Sequence, residues 1–227
     1  MKLWHISDTH GYHELLKSPD NIDIVIHSGD FSNNFNVYLN EGESHNFLFW
    51  FSKLNIKYKI LIAGNHDALA FKWSTKFKKL CKELDIIYLE NELVTIKGIN
   101  IFGTPVTPTF GKWYFQKNRS KTFKFFYKLI PSRTDILVSH GPPRFILDLT
   151  EDSQHNLLNV GDSGLYKVIK KKLNLSYHLF GHVHNCKNIL NSGTKTISNC
   201  NTIFSNGSVV TDRKFGILTS NGNIFNI

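Results

Sequence analysis

The sequence predicts a layered α/β domain. Three observations carry that expectation. Five short runs, Lys2–Ser7, Ile22–Ser28, Tyr58–Ala63, Ile136–Ser139 and Tyr177–Phe180, are apolar with little alternation. Runs of that kind mark strands covered on both faces. Each stops abruptly at a polar group containing Asp, Asn or His, and layered α/β folds place ligands just past the carboxyl ends of their strands. Helical patterns fill the gaps between the runs.

In chain order, Lys2–Ser7 leads into Asp8, and Ile22–Ser28 into Gly29-Asp30. A helix is expected over Ser44–Leu54, before the strand Tyr58–Ala63 that leads into Gly64. A second helix is expected over Trp73–Leu84, with Lys76, Lys79 and Glu83 on its solvent side. Across Asn118–Ile130, Phe123, Phe126, Tyr127 and Ile130 recur at i, i+3, i+4 and i+7, while Lys121, Lys124 and Lys128 take another face. That is an amphipathic helix, and its aromatic stripe reads as core. Ile136–Ser139 then leads into His140, and Tyr177–Phe180 into Gly181-His182. From Asn188 to Ile227, β-like runs alternate with Asn-Gly and Ser-Gly turn signals, which predicts hairpins at the edge of a second sheet.

Composition narrows the function classes. At 227 residues and 41% hydrophobic content, the chain suits one domain with a sizeable core, residues 1–227. No apolar run approaches the roughly 20 residues that span a bilayer, so no membrane partner is expected. The first strand starts at Lys2, and no signal peptide is expected ahead of it. Cys81, Cys186 and Cys200 are few and widely spaced, which fits a reducing compartment, the cytoplasm. The formal charge of +9 is unevenly spread. No acidic residue lies between Glu92 and Asp135, where Lys97, Lys112, Lys117, Arg119, Lys121, Lys124, Lys128 and Arg133 all occur. This tract reads equally as a solvated basic face or as a surface that draws anionic substrate; its sign favours phosphate-bearing ligands.

The chemistry sits in four motifs and one further histidine. They are Asp8-Thr9-His10, Gly29-Asp30, Gly64-Asn65-His66-Asp67 and Gly181-His182-Val183-His184, with His140 in Ser139-His140-Gly141. Each is weak alone. Asp8 and Asp30 could be turn aspartates, Asn65 a turn residue, and His140 a satisfied core histidine. Together they supply three carboxylates, one amide and five imidazoles at strand ends. Oxygen and nitrogen ligands without thiolate suit first-row divalent metals, and paired metals suit in-line phosphoryl chemistry. His182 and His184 would face opposite ways on a strand but converge on a loop, and Gly181 offers the freedom to leave the strand there.

The order D-x-H, G-D, G-N-H-D, H-G and G-H-x-H resembles the calcineurin-like metallophosphoesterases, from Lys2 to about Ser208. The tract Gly103–Phe115, with Ile130-Pro131 and Ser139-His140-Gly141-Pro142-Pro143, resembles a narrower branch, the MPPED-type class III phosphodiesterases acting on cyclic nucleotides. The resemblance implies a four-layer α/β/β/α sandwich. It also implies two divalent metal ions, whether manganese, iron, zinc or similar. Asp8, His10, Asp30 and His184 would hold one, and Asp30, Asn65, His140 and His182 the other, with Asp30 as the bridge. His66 would face the substrate as general acid, and Asp67 would orient the imidazole and raise its pKa. Capping a helix is the competing role for Asp67. A hydroxide activated by both ions would attack phosphorus in line, with His66 protonating the departing alkoxide.

Phe110, Trp113, Tyr114 and Phe115 follow the rigid Pro105 and Pro108, and read either as a structural plug or as a wall for a nucleobase. Tyr12 and Phe31 carry the same ambiguity, and Arg144 and Asn206 are phosphate candidates by position alone. His5, His13, His27, His45, His155 and His178 lie outside the motifs and read as structural or surface, His13 least securely.

The expected partner is a small phosphodiester, a nucleotide, with short single-stranded nucleic acid left open by the basic tract. A protein phosphatase of the superfamily would resemble G-D-x-x-D-R-G and G-N-H-E, whereas this chain has Gly29-Asp30-Phe31-Ser32-Asn33-Asn34 and Asp67. Repair-type nucleases usually carry extra domains for which 227 residues leave no room. A non-catalytic scaffold would be expected to have lost ligands, and here every position is filled.

Overall fold

The computed structural model describes residues 1–186, 188–198, 200–211 and 218–227. The first half supplies β1 (Lys2–Ile6), β2 (Ile24–His27), α1 (Val37–Lys53), β3 (Tyr58–Leu61), α2 (Ala68–Lys72), α3 (Ser74–Glu83) and β4 (Ile87–Tyr88). Next come β5 (Glu92–Ile96), β6 (Ile99–Thr104), β7 (Thr107–Pro108), β8 (Gln116–Lys117), α4 (Thr122–Leu129) and β9 (Ile136–Ser139). The remainder is β10 (Leu149–Glu151), β11 (Leu157–Asn159), α5 (Ser163–Lys172), β12 (Tyr177–Phe180), β13 (Gly193–Ile197), β14 (Cys200–Asn206) and β15 (Asn223–Asn226).

Two sheets lie at the centre. One has the order β15-β1-β2-β3-β4, the other β13-β14-β12-β9-β6-β5. Their inner strands are parallel, and antiparallel β15, β13 and β5 close three of the four edges. The sheets pack on each other through Leu3, Ile24, Ile26 and Ile60 of one and Ile101, Ile136, Val138 and Leu179 of the other. The outer face of the first sheet, with Trp4, Val25 and Leu61, is covered by Phe47 and Phe51 of α1 and Phe77 of α3. The outer face of the second, with Phe102, Leu137, Phe180 and Phe204, is covered by Phe126 of α4 and by Leu165 and Val168 of α5. The result is the expected α/β/β/α sandwich. Each of these large side chains, fully buried, contributes about 1.5–3 kcal/mol of transfer free energy.

The five predicted strands stand where expected. Differences lie at α1, α5 and the C-terminal strands, among others. α1 begins at Val37, seven residues before the expected start, with Asn36 accepting a capping bond from the Tyr38 amide. The early turns were hidden because their buried positions hold Asn40 and Ser44 rather than apolar residues. α5 was not anticipated; Gly164 in its first turn masks the signal, although the Asp162 side chain caps the Gly164 and Leu165 amides. The C-terminal hairpin β13–β14 does edge the second sheet, but β15 crosses to the first and pairs with β1. Part of the predicted hairpin region, residues 199 and 212–217, lies outside the described residues. Among the described residues, no helix is long and apolar enough to cross a membrane.

Candidate metal centre

All seven predicted ligand residues converge at the carboxyl ends of the parallel strands. Asp8 and His10 follow β1, Asp30 follows β2, Asn65 follows β3, His140 follows β9, and His182 and His184 follow β12. Two sets have ligand atoms within 4.8 Å of one another: Asp8 with His10 and His184, and Asp30 with His140 and His182. In the first, His184 Nε2 lies 3.1 Å from Asp8 Oδ1 and 3.4 Å from His10 Nε2. In the second, His140 Nε2 lies 3.2 Å from Asp30 Oδ2 and 3.0 Å from Asn65 Oδ1. Asp30 Oδ2 is also 4.0 Å from His10 Nε2, so its carboxylate stands between the two sets.

The donor set fits divalent cations. His10 Nδ1 faces the Ser32 carbonyl at 3.2 Å, and His140 Nδ1 faces the Ser28 carbonyl at 2.9 Å. Each Nδ1–H donates outward, so each Nε2 faces the cluster, the nitrogen through which a metal-binding imidazole coordinates. Asp8 is fully buried and Asp30 nearly so. Burial opposes charge on Asp8, but the His184 imidazole outweighs it and holds the carboxyl well below its usual range. Burial opposes charge on Asp30 too, and His140 overcomes it. His140 in turn rises to about 9: burial lowers it, and Asp30 more than compensates. Two buried carboxylates thus demand positive charge at the centre, and that demand is what a pair of cations would meet. Burial drives His10 and His182 down to about 3, keeping them neutral as ligands must be.

The backbone is strained around the cluster. Asp8, His10, Asp30 and His182 all have positive φ, 53°, 42°, 56° and 70°, which is uncommon away from glycine and concentrates at functional sites. Gly181 serves close approach rather than freedom: a methyl group there would overlap the Asp8 carboxylate. The left-handed turn falls on His182 instead, whose amide donates to Asp8 Oδ2 at 2.9 Å.

Asp67 departs from expectation. Its carboxylate accepts bonds from the Gly64, Asp30 and Ser32 amides and the Ser32 hydroxyl. It therefore clamps the two ligand loops together, while His66 Nδ1 meets the Asn33 carbonyl at 3.2 Å. Although Asp67 occupies the N-cap position of α2, its side chain makes no capping bond. Burial, then the nearby Asp30, raises its pKa to about 8.

Sequence reasoning missed the asparagines that hold these loops. Asn40 of α1 donates to the His66 carbonyl at 2.9 Å and accepts from the Leu69 amide. Asn206 donates to the Val183 carbonyl, and Asn191 to the His184 carbonyl, both at 2.9 Å. Asn206 is thus a support for the histidine loop rather than a phosphate contact. Nothing in their sequence context distinguishes these residues from turn asparagines.

The aromatic tract divides. Tyr114 and Phe115 are buried in the first-sheet core, whereas Trp113 lies over His66 with ring centroids 4.3 Å apart. The exposed Phe110 stands 5.0 Å from His182. Phe31 is core, stacked between Phe47 and Phe77, while Tyr12 is exposed. Arg144 lies over the Phe145 ring. His5, His13, His27 and His178 are buried, and His45 and His155 exposed. His13 packs on Phe47 and Trp50, away from the ligand sets.

The calcineurin-like phosphoesterase profile matches residues 1–186. The chain belongs to that family. Its superfamily typically uses two divalent metal ions, which agrees with the two ligand sets above. Metallophosphoesterase domain-containing protein 1 of Homo sapiens is 31% identical over 215 residues, covering 86% of this chain and 64% of the relative. A UPF0046 protein of Caenorhabditis elegans is 32% identical over 212 residues, covering 88% of this chain and 69% of its own. The chain therefore spans about 64% of the length of the human relative. A solved structure aligns at TM-score 0.60 and 18% identity, over 90% of this chain and 89% of the other. A putative 5′-nucleotidase from Staphylococcus aureus aligns at TM-score 0.54 and 13% identity, over 92% of this chain and 49% of that one. At these identities the two structures show a shared fold alone.

Proposed function

We propose that residues 1–227 act as one metallophosphoesterase domain that hydrolyses phosphodiester bonds of nucleotides, cyclic nucleotides first among them. The observation that carries this reading is the pair of aromatic rings at the ligand cluster, Trp113 over His66 and Phe110 beside His182. A base attached to the reacting phosphate has a π-face to stack on there.

Asp8, His10, Asp30 and His184 would hold one divalent ion, and Asp30, Asn65, His140 and His182 the other. Such ions supply Lewis-acid charge to phosphoryl oxygens and acidify water. The chain's own residues do the rest. The Asn33 carbonyl takes the His66 Nδ1–H, which leaves Nε2, 4.0 Å from Asp30 Oδ2, to present a proton at the cluster. A ribose alkoxide is a poor leaving group, and His66 delivers that proton as the ester bond breaks. Asp67 keeps the His66 loop against the Asp30 loop and acts as a positioning residue. Cys81 and Cys200 are not in disulfides, which fits a reducing, cytoplasmic setting.

A panel of cyclic nucleotides, dinucleotides, phosphomonoesters and bis-nitrophenyl phosphate under manganese, iron and zinc tests the proposal. Diesters should turn over faster than monoesters. Faster turnover of monoesters or phosphopeptides would overturn it.

A further inference from the structure

We propose that the basic face of α4 binds single-stranded nucleic acid and leads its phosphodiester backbone to the metal centre. This deepens the phosphodiesterase reading and rests on it only for the final cleavage.

A surface groove of about 400 Å³ is lined by Lys117, Ser120, Lys121, Lys124, Phe125 and Lys128. Among the described residues, none of its four lysines forms an ion pair. Three lysines of α3 are paired instead: Lys76 with Glu41, Lys78 with Glu90 and Glu92, and Lys79 with Glu83. Four uncompensated cations around one groove repel one another, and an anionic ligand relieves that repulsion.

One wall residue of the groove is aromatic. Phe125 is half-buried, with Lys117 Nζ 4.2 Å from its ring centroid. A cation beside a ring in a basic groove is the combination that holds phosphate and base in single-strand recognition. Duplex DNA keeps its base faces stacked and cannot use the ring. A lipid surface is met by protruding apolar side chains, whereas Phe125 is half-buried.

Arg119 joins the groove to the metal centre. It opens the short 3₁₀ turn Arg119–Lys121 ahead of α4, and it also lines a cavity of about 340 Å³ shared with His182 and His184. Its guanidinium is held by the Val160 and Gly161 carbonyls at 3.0 and 3.3 Å, which leaves donors for a phosphate. Eight residues of α4 extend this track by about 12 Å.

The test is fluorescence anisotropy of a short fluorescein-labelled oligothymidylate against the full chain in chelator, so that no cleavage occurs. Four lysine–phosphate contacts give an expected salt slope of about −3. Lys124→Gln combined with Lys128→Gln should weaken binding on the order of tenfold and halve the slope, with circular dichroism confirming the fold. Unchanged binding in that variant would overturn the proposal. So would equal or tighter binding of duplex, no binding of oligothymidylate, or capture by phosphatidylserine vesicles in its place. Turnover of bis-nitrophenyl phosphate with manganese is read separately. A protein that binds oligothymidylate but cleaves no diester keeps this surface and loses the diesterase reading; the reverse result loses only the surface.

Discussion

Trp113 lies over the His66 imidazole, the two rings inclined at 41° with centroids 4.3 Å apart. Trp113 is half-buried, while its neighbours Tyr114 and Phe115 are packed into the core. The same loop thus anchors itself with two rings and presents a third to the site. Trp113→Ala should raise KM for a cyclic nucleotide by on the order of tenfold, the loss of one stacking contact. KM for bis-nitrophenyl phosphate should change much less. Parallel increases for both substrates would show that the ring only supports the loop.

Asp30 stands between the two ligand sets, and Asp8 belongs to one. Replacing Asp30 by Asn removes charge that both cations would share. Asp30→Asn should therefore lower bound metal and activity more than Asp8→Asn, measured by elemental analysis and diester turnover. Full activity in Asp30→Asn, or in protein shown to contain no metal, would refute the bridge.

The site was legible in sequence because its ligands are spent at strand ends, where an apolar run breaks into Asp, Asn or His. What holds those ligands was not legible. Asn40, Asn191 and Asn206 act through backbone carbonyls that no residue pattern records. The role of Gly181 depends on Asp8, distant in sequence but close enough to exclude a methyl group. Asp67 shows the same limit: adjacency to His66 suggested a pair, while the bonds its carboxylate makes to the amides of three loop residues were not legible. The α1 start failed because its buried face is polar there, so hydrophobic periodicity begins only further along the helix.

Asn40→Ala tests that support. It strips partners from the His66 carbonyl and the Leu69 amide, both in buried surroundings. The expected loss is about 2–4 kcal/mol in urea unfolding, because the groups left behind stay desolvated. Diester turnover should fall as well, since the His66 loop loses its anchor. A variant with wild-type stability would show that water replaces the amide.

His178 makes stability depend on pH. It is buried between Phe180 and Phe204, with Nε2 2.7 Å from Ser139 Oγ, and burial pushes its pKa down to about 3. The unfolded chain, with an ordinary histidine near 6.5, binds the proton first. The contribution is therefore complete above about pH 6.5 and is lost as pH falls toward 3, at about 1.4 kcal/mol per pH unit. His178→Phe should flatten the slope of unfolding free energy by that amount between about pH 5 and pH 6, measured in chelator. An unchanged slope would mean that the folded protein takes up the proton.

His66 as proton donor is tested by the leaving group. Nitrophenolate departs without protonation, whereas a ribose alkoxide does not, and general acid help is typically worth 10²–10⁴-fold where it is needed. The imidazole is nearly buried, held by the Asn33 carbonyl on one nitrogen and turned to the cluster by the other. His66→Ala should then lose on the order of 10²-fold or more on a ribose diester and much less on a nitrophenyl diester. Bound metal should be unchanged, because His66 belongs to neither ligand set. Equal losses on both substrates with metal retained would make His66 a phosphate-positioning group. Loss of metal would instead place it, beside Asn65, among the ligands.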